Sequence, residues 1–239
     1  PICLSQQLLA LLGTLFHEAE KPTLIQVVVS RDDAHAAHFA LAAMLRVAHI
    51  ERPDVYWQII ALPANLELDA IKKIIADESV AYVNRCVDYH HASARFIPQW
   101  NEIPSTQLSS IAMQPVWKNG GTYVISGGAG ALAEIFAREI AAKTRGSHIV
   151  LIGRSPQTQK ISYLLSALNL AGAHGKYLQA DVSSFQETQA VIARIRRETG
   201  RIDGVIHAAG LLRDGYLRDK TATDLDAVVL PKLNGWLNL

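Results

Sequence analysis

The order of apolar and polar positions divides the chain into two rounds of strand and helix. In the first round, Ser5 to Phe16 carries Leu8, Leu9, Leu12, Leu15 and Phe16 at helical spacing. Leu24 to Val29 is an apolar run interrupted only by Gln26, the pattern of a strand buried on both faces. An alanine-rich helical stretch follows from Ala34 to Val47, then a strand-like run from Val55 to Leu62 between Pro53 and Pro63. Leu68 to Ala76 predicts a helix with Leu68, Ile71, Ile74 and Ile75 on one side, and Val80 to Val87 predicts a further strand. Strands alternating with helices in this way predict a parallel sheet.

The second round starts at Thr122 to Ile125, a short β-rich apolar run that breaks into a glycine cluster and then into a helical pattern. That helix sets Leu132, Ile135, Phe136 and Ile140 on one face and ends near Gly146. His148 to Ile152 predicts a strand, Ile161 to Leu170 a helix, and Lys176 to Gln179 a strand. Ser184 and Glu187 have the S-x-x-E spacing of a capping box, Gly200 closes the helix they open, and Gly204 to Ile206 predicts another strand. The expected fold is α/β, with two Rossmann-like, doubly wound parallel-sheet halves. The expected boundary puts residues 1–118, including a proline-bearing connection from Phe96 to Lys118, in the first half and 119–239 in the second.

Composition adds a few exclusions. Hydrophobic residues make up 49% and charged residues 19% of the 239, which suits a packed α/β protein. A net charge of +1 gives no bulk reason to expect nucleic acid or a membrane surface as partner. The apolar run Leu8 to Phe16 is too short to span a bilayer and has no basic stretch before it. Cys3 and Cys86 cannot make a disulfide framework, so a reducing, cytoplasmic setting is expected. Neither they nor His35, His38, His90 and His91 have metal-ligand spacing, so no metal is expected. Pro1 falls in mid-pattern and Leu239 inside a helical run, so the chain reads as a piece of a longer polypeptide.

The candidate chemistry lies in the second half. The turn Gly128-x-Gly130-x-x-Ala133, between a strand and a helix, has the form of a dinucleotide-binding loop. A diphosphate would sit at the positive end of the helix beginning near Ala131. The next strand ends in Gly153-Arg154-Ser155, with a guanidinium where an NAD-binding unit would carry an acid. An acid repels a 2′-phosphate and an arginine pairs with it, so NADPH is the expected cofactor; a surface arginine beside a turn is the other reading. The third strand ends in Ala180-Asp181-Val182, where Asp181 either accepts from an adenine amino group or caps the next helix. After the fourth strand, Ala208, Ala209 and Gly210 let a ribose lie on the strand end. The first half runs SRDDAHAAH after its first strand, without a glycine and with Asp32 and Asp33 set against an anion, so its expected role is structural.

SGGAGALA, IGRS, ADVS and HAAG, in that order, resemble the short-chain dehydrogenase/reductases. The run VLPKLNG, Val229 to Gly235, is similar to the ketoreductase domain of modular polyketide synthases of the trans-acyltransferase type. The resemblance implies NADPH-dependent reduction of a β-keto thioester on an acyl carrier protein, beside neighbouring synthase domains. It places Gly127, Gly128, Gly130 and Leu132 at the diphosphate, Arg154 and Ser155 at the 2′-phosphate, Asp181 and Val182 at the adenine, and Ala208, Ala209 and Gly210 under the ribose. Lys232 matches the active-site lysine, whose ammonium lowers the pKa of a neighbouring tyrosine so that the phenol protonates the developing alkoxide. Asp214 overlaps a stereochemical motif that implies a B-type, D-configured product, or else is a turn aspartate. The family's serine and tyrosine are expected beyond Lys232, outside this sequence; Tyr216 and Lys220, spaced Y-x-x-x-K, sit in a polar loop and are set aside. The family favours glycine at Ala131 and Ala133, where methyl groups would crowd a diphosphate or stiffen a turn needing positive φ. That departure keeps open a non-reducing scaffold, and a stand-alone dehydrogenase acting on a free small molecule is a third reading.

Overall fold

The computed structural model of the chain describes residues 2–18, 21–31, 35–80, 83, 85–104 and 116–239. These fall into two compact units: the described residues up to Pro104 together with Asp214–Ala222, and those from Val116 to Arg213 together with Thr223–Leu239.

The first unit runs α1 (Ile2–Glu18), β1 (Thr23–Ser30), α2 (His35–Glu51), β2 (Val55–Leu62), α3 (Leu68–Ser79), β3 (Arg85–His91) and β4 (Ala94–Phe96). Its strands lie in the order β1-β2-β3-β4, the first three parallel and β4 antiparallel to β3. The strand expected over Val80 to Val87 starts at Arg85 instead, because α3 continues to Ser79 with Val80 as its helical C-cap. Glu78, in the last turn of α3, explains the extension. Its carboxylate is 5% exposed, accepts from the Tyr89 hydroxyl at 2.8 Å and from Arg95 Nη2 at 3.0 Å, and so needs the helix to reach β3 and β4. The Arg95 guanidinium is the main reason this carboxyl stays below its ordinary range. β4, three residues long, carries no periodic signal. Asp32, Asp33 and residues 105–115 of the expected connection lie outside the described residues.

In this sheet the described parallel strands follow chain order and never reverse. Ligand crevices in open α/β sheets form where the strand order reverses. The unit thus has neither the glycine turn nor the topological opening. The turn Leu217–Asp219 belongs here as well: Glu51, the last residue of α2, accepts from the amides of Leu217 at 2.6 Å and Arg218 at 3.4 Å.

The second unit runs β5 (Thr122–Ser126), α4 (Ala131–Lys143), β6 (His148–Gly153), α5 (Gln159–Leu170), β7 (His174–Gln179), α6 (Phe185–Thr199), β8 (Gly204–His207) and α7 (Ala222–Asn238). Its strands are all parallel, in the order β7-β6-β5-β8. The chain therefore steps outward from β5 to β7 and then reverses to place β8 on the other side of β5. Alternation along the strands divides the core. Tyr123, Ile125, Ile149, Leu151 and Tyr177 face Ile140 and Leu168 of α4 and α5. Val124, Val150, Ile152 and Leu178 face Ile195 of α6, with Leu239 packed against them. At about 1.5–3 kcal/mol for each buried aliphatic side chain, these two faces dominate the unit's stability.

The face expected for α4 is corrected. Leu132 and Ile135 are 59% and 60% exposed, and the buried stripe is Ala133, Ala137, Ile140 and Ala141. A helix leaving a tight glycine turn must pack close to its strand, and alanines permit that approach where leucines would hold the helix off. Proximity to the sheet wins over burying two larger side chains.

At the opposite end of the sheet Asp203 joins β5 to β8. Its side chain is 6% exposed, accepts from the Thr122 amide at 3.0 Å and pairs with Arg201 at 3.0 Å and Lys118 at 3.5 Å. The Thr122 amide leads in holding this carboxyl below its ordinary range. A depressed carboxyl stabilises the fold above its unfolded pKa and ceases to as pH falls through the lower folded value. Denaturation midpoints of the parent protein and Asp203→Asn should therefore differ at neutral pH and converge as the solution is acidified below the ordinary aspartate range of about 4. A gap that persists in acid would mean the carboxylate is not the source.

Candidate functional site

The reversal at β5 and β8 opens a crevice at the carboxyl ends of the strands, and a cavity of about 310 Å³ occupies it. It is lined by the turn after β5, the ends of β6 and β7, the strand end after β8, and Pro231 of α7.

The turn after β5 is shaped by what its glycines avoid. Gly127 has φ +71, and a Cβ there would lie 2.5 Å from the Ala208 carbonyl oxygen and 2.9 Å from the Ala209 nitrogen. A Cβ at Gly128 would lie 2.7 Å from Leu151 Cβ, and the Gly128 amide donates to the Ile152 carbonyl at 2.8 Å. Gly128 therefore packs the turn onto β6, lies outside the cavity lining and has its donor engaged. The Gly130 amide likewise donates to Gly127 O at 2.8 Å, while Gly127, Ala129 and Gly130 face the cavity. Gly130 is the N-cap of α4 and makes no side-chain cap, so the first helical amides, those of Ala131 and Leu132, keep the donors that a helix start leaves open. The Leu132 side chain points into neither the core nor the cavity.

Ala131 and Ala133 do not crowd this turn. Ala133 is fully buried in the core beneath α4, neither residue lines the cavity, and no described non-glycine residue has positive φ. The expectation that they stiffen a turn needing positive φ is corrected: both sit at ordinary helical positions.

Arg154 and Ser155 line the cavity at the end of β6. Their carbonyls are held from β7: Gln179 Nε2 donates to Arg154 O at 2.9 Å and the Tyr177 hydroxyl to Ser155 O at 2.6 Å. Burial pushes the Tyr177 hydroxyl pKa up, which keeps it a donor. The Arg154 side chain is exposed and has no ion-pair partner among the described residues, so a held backbone presents an uncommitted guanidinium. Asp181 and Val182 also line the cavity. Asp181 Oδ1 accepts from Ser183 at its amide, 2.9 Å, and its hydroxyl, 2.6 Å, an Asx turn that orients the carboxylate. The expected capping box is half formed. Ser184 Oγ accepts from the Glu187 amide at 3.4 Å, but Glu187 Oε2 accepts from the Asp181 amide at 2.8 Å.

Ala208, Ala209 and Gly210 form the cavity's other wall. Ser126 and His207 sit opposite each other in the β5–β8 register, with Ser126 Oγ 2.6 Å from His207 Nδ1. The same oxygen accepts from the amides of Ala208 at 3.2 Å and Ala209 at 3.3 Å, and His207 Nε2 lies 3.1 Å from the Lys232 carbonyl. The Lys232 side chain is exposed, has no ion-pair partner among the described residues, and lies over Gly210, where an added Cβ would come within 3.4 Å of Lys232 Cε. Asp214 is exposed and belongs to the segment that packs with the first unit. Tyr216 stacks with the Arg218 guanidinium, 4.9 Å from its centroid, beside the turn Leu217–Asp219. Ser126, His207, Tyr177, Gln179 and Pro231 were not assigned from sequence; the histidine of HAAG and the serine ending the β5 run were the available signals.

Among the described residues no group of three histidine, cysteine, aspartate or glutamate side chains is placed to hold a metal ion, and no helix is long and apolar enough to cross a membrane. The glycine positions, the open helix start and the unpaired arginine fit a phosphorylated nucleotide in charge and in the space they leave.

Residues 121–239 match the family model described as "KR domain". Polyketide synthases PksL and PksN of Bacillus subtilis (strain 168) are 33% and 34% identical over 91% and 90% of this chain. The chain spans only 5% and 4% of those two proteins. Among solved structures, a ketoreductase domain from the bacillaene assembly line superposes with a TM-score of 0.88 at 28% identity, covering 99% of this chain and 55% of that one. The ketoreductase from the first module of phoslactomycin biosynthesis in Streptomyces sp. HK803 gives 0.77 at 25%, covering 98% and 55%. The chain thus belongs to the ketoreductase (KR) domain family of polyketide synthases.

Proposed function

We propose that this chain provides the nucleotide-binding part of an NADPH-dependent ketoreductase that reduces a β-keto acyl thioester on an acyl carrier protein to the β-hydroxy thioester, beside other synthase domains. The observation that carries the reading is the uncommitted Arg154 at the end of β6, which lines the same cavity as the glycine turn and Asp181. Bound there, NADPH supplies the hydride. The turn at Gly127 and Gly130, which lines the cavity, and the positive end of α4 from Leu132 hold the diphosphate, Arg154 with Ser155 the 2′-phosphate, Asp181 with Val182 the adenine, and the Ala208–Gly210 strand end the ribose. Lys232 brings a positive charge to the cavity rim above Gly210, where it favours the deprotonated form of a neighbouring phenol and so eases proton delivery to the substrate oxygen. Asp214 is assigned to stereocontrol, giving the B-type, D-configured hydroxyl. Residues 1–118 serve as the structural half.

The competing reading, a non-reducing scaffold, draws its motive from Ala131 and Ala133, which take ordinary helical positions in α4. Titration calorimetry of the full-length polypeptide separates the two. Micromolar NADPH binding together with NADPH consumption on a β-keto thioester surrogate is expected; no binding at millimolar nucleotide would leave the scaffold.

A further inference from the structure

We propose that His207 is a positioning residue for Lys232, held by the Ser126 hydroxyl as its Nε2–H tautomer. The assignment rests on the reductase reading for its consequence, but its hydrogen-bond content stands without it.

A serine hydroxyl has one proton and two lone pairs. Two groups that can only donate, the amides of Ala208 and Ala209, approach Ser126 Oγ at 3.2 and 3.3 Å and occupy both lone pairs. The hydroxyl proton then goes to the remaining neighbour, His207 Nδ1 at 2.6 Å. Nδ1 must be bare to receive it, so a neutral ring carries its proton on Nε2. Nε2 in turn lies 3.1 Å from the Lys232 carbonyl, which can only accept. Both ends of the ring therefore require the same tautomer. The other tautomer would set a bare nitrogen against a carbonyl oxygen, and a cationic ring would set an N–H against a hydroxyl with no lone pair left.

The relay ties the crevice wall to the helix that carries Lys232. One hydroxyl fixes the two amides lining the cavity and, through the ring, the backbone of α7 at the lysine. Gly235 makes the close approach possible: a Cβ there would lie 2.7 Å from His207 Cε1 and 3.0 Å from Val182 Cγ2. The glycine of P-K-x-x-G is thus the seat for the imidazole. The ring sets where α7 rests, and with it where the Lys232 side chain lies over Gly210.

Two variants cut the relay at different ends. Asn at 207 keeps an acceptor near Nδ1 for Ser126 but is too short to reach Lys232; Gln keeps a donor near Nε2 for Lys232 and loses the contact with Ser126. Nitrogen-15 NMR of the ring in mildly alkaline buffer is expected to show Nε2 protonated and Nδ1 bare, with the bias weakened in Ser126→Ala, where only the Lys232 carbonyl still selects it. In the full-length polypeptide, His207→Asn should lower kcat about tenfold, the worth of one lost hydrogen bond, with little change in nucleotide affinity, while His207→Gln stays within about threefold of the parent. An Nδ1–H or cationic ring overturns the relay whether or not the protein reduces anything. The expected ring with equal kcat in the two variants overturns the positioning role. Absence of NADPH turnover in the parent, with the expected ring intact, overturns the reductase reading and with it the role given to His207, and leaves the hydrogen-bond relay standing.

Discussion

Gly127→Ala is expected to be the most damaging single change in the second unit. At φ +71 an alanine costs about 1–2 kcal/mol in backbone strain alone. The added Cβ would also stand 2.5 Å from the Ala208 carbonyl, a backbone atom anchored through Ser126 and unable to yield cheaply. A combined loss of about 3–5 kcal/mol follows, or a rearranged turn that no longer frames the crevice. Gly172 supplies the control. Its φ is +86, but a Cβ there meets nothing within 4 Å, so Gly172→Ala should cost only the backbone term of about 1 kcal/mol. Urea denaturation of both variants, with nucleotide titration of whichever fold, isolates the collision from the strain. Equal losses for the two would mean that the contact with Ala208 is not a constraint.

The second large effect concerns cofactor choice. Arg154→Ala should weaken NADPH binding by about ten- to a hundredfold, the range for one or two hydrogen bonds to a charged group, and leave NADH binding nearly unchanged. Thermal stability should not move, because the guanidinium has no ion-pair partner among the described residues and the backbone at that point is held by Gln179 and Tyr177. Raising ionic strength should narrow the gap between the two nucleotides in the parent protein and leave the variant unaffected. Arg154→Asp should go further and favour NADH, since a carboxylate there can accept from a ribose 2′-hydroxyl and repels a phosphate. Parallel losses for both nucleotides would show that Arg154 acts on the diphosphate or on the fold and not on the 2′ position.

Several of the misreadings share one cause. The periodicity of α4 put Leu132, Ile135, Phe136 and Ile140 on one face; Ile140 is buried and Phe136 packs against the core, but Ala133, Ala137 and Ala141 are buried in place of Leu132 and Ile135. Periodicity reports which side chains are apolar, whereas the distance between helix and sheet decides which of them fit between the two. Against the motif Ala131 and Ala133 are departures, yet both are ordinary residues of α4. The strand expected from Val80 gave way to a longer α3 because Glu78 finds Tyr89 and Arg95 only after β3 and β4 are laid beside it.

By itself the sequence determined the alternation of strand and helix, the glycine turn between Ser126 and Ala131, the arginine at the end of the second strand of that unit, and the P-K-x-x-G run. These are local: each depends on residues a few positions apart, and steric preference or spacing is enough to specify them. Tertiary structure decided that Gly128 spends its amide on β6, that β8 reverses the sheet and opens the crevice, and that Ser126 meets His207 across 81 positions of chain. Such contacts exist only once parallel strands are in register, because a hydrogen bond needs its partners within about 3 Å and no spacing along the chain encodes that distance.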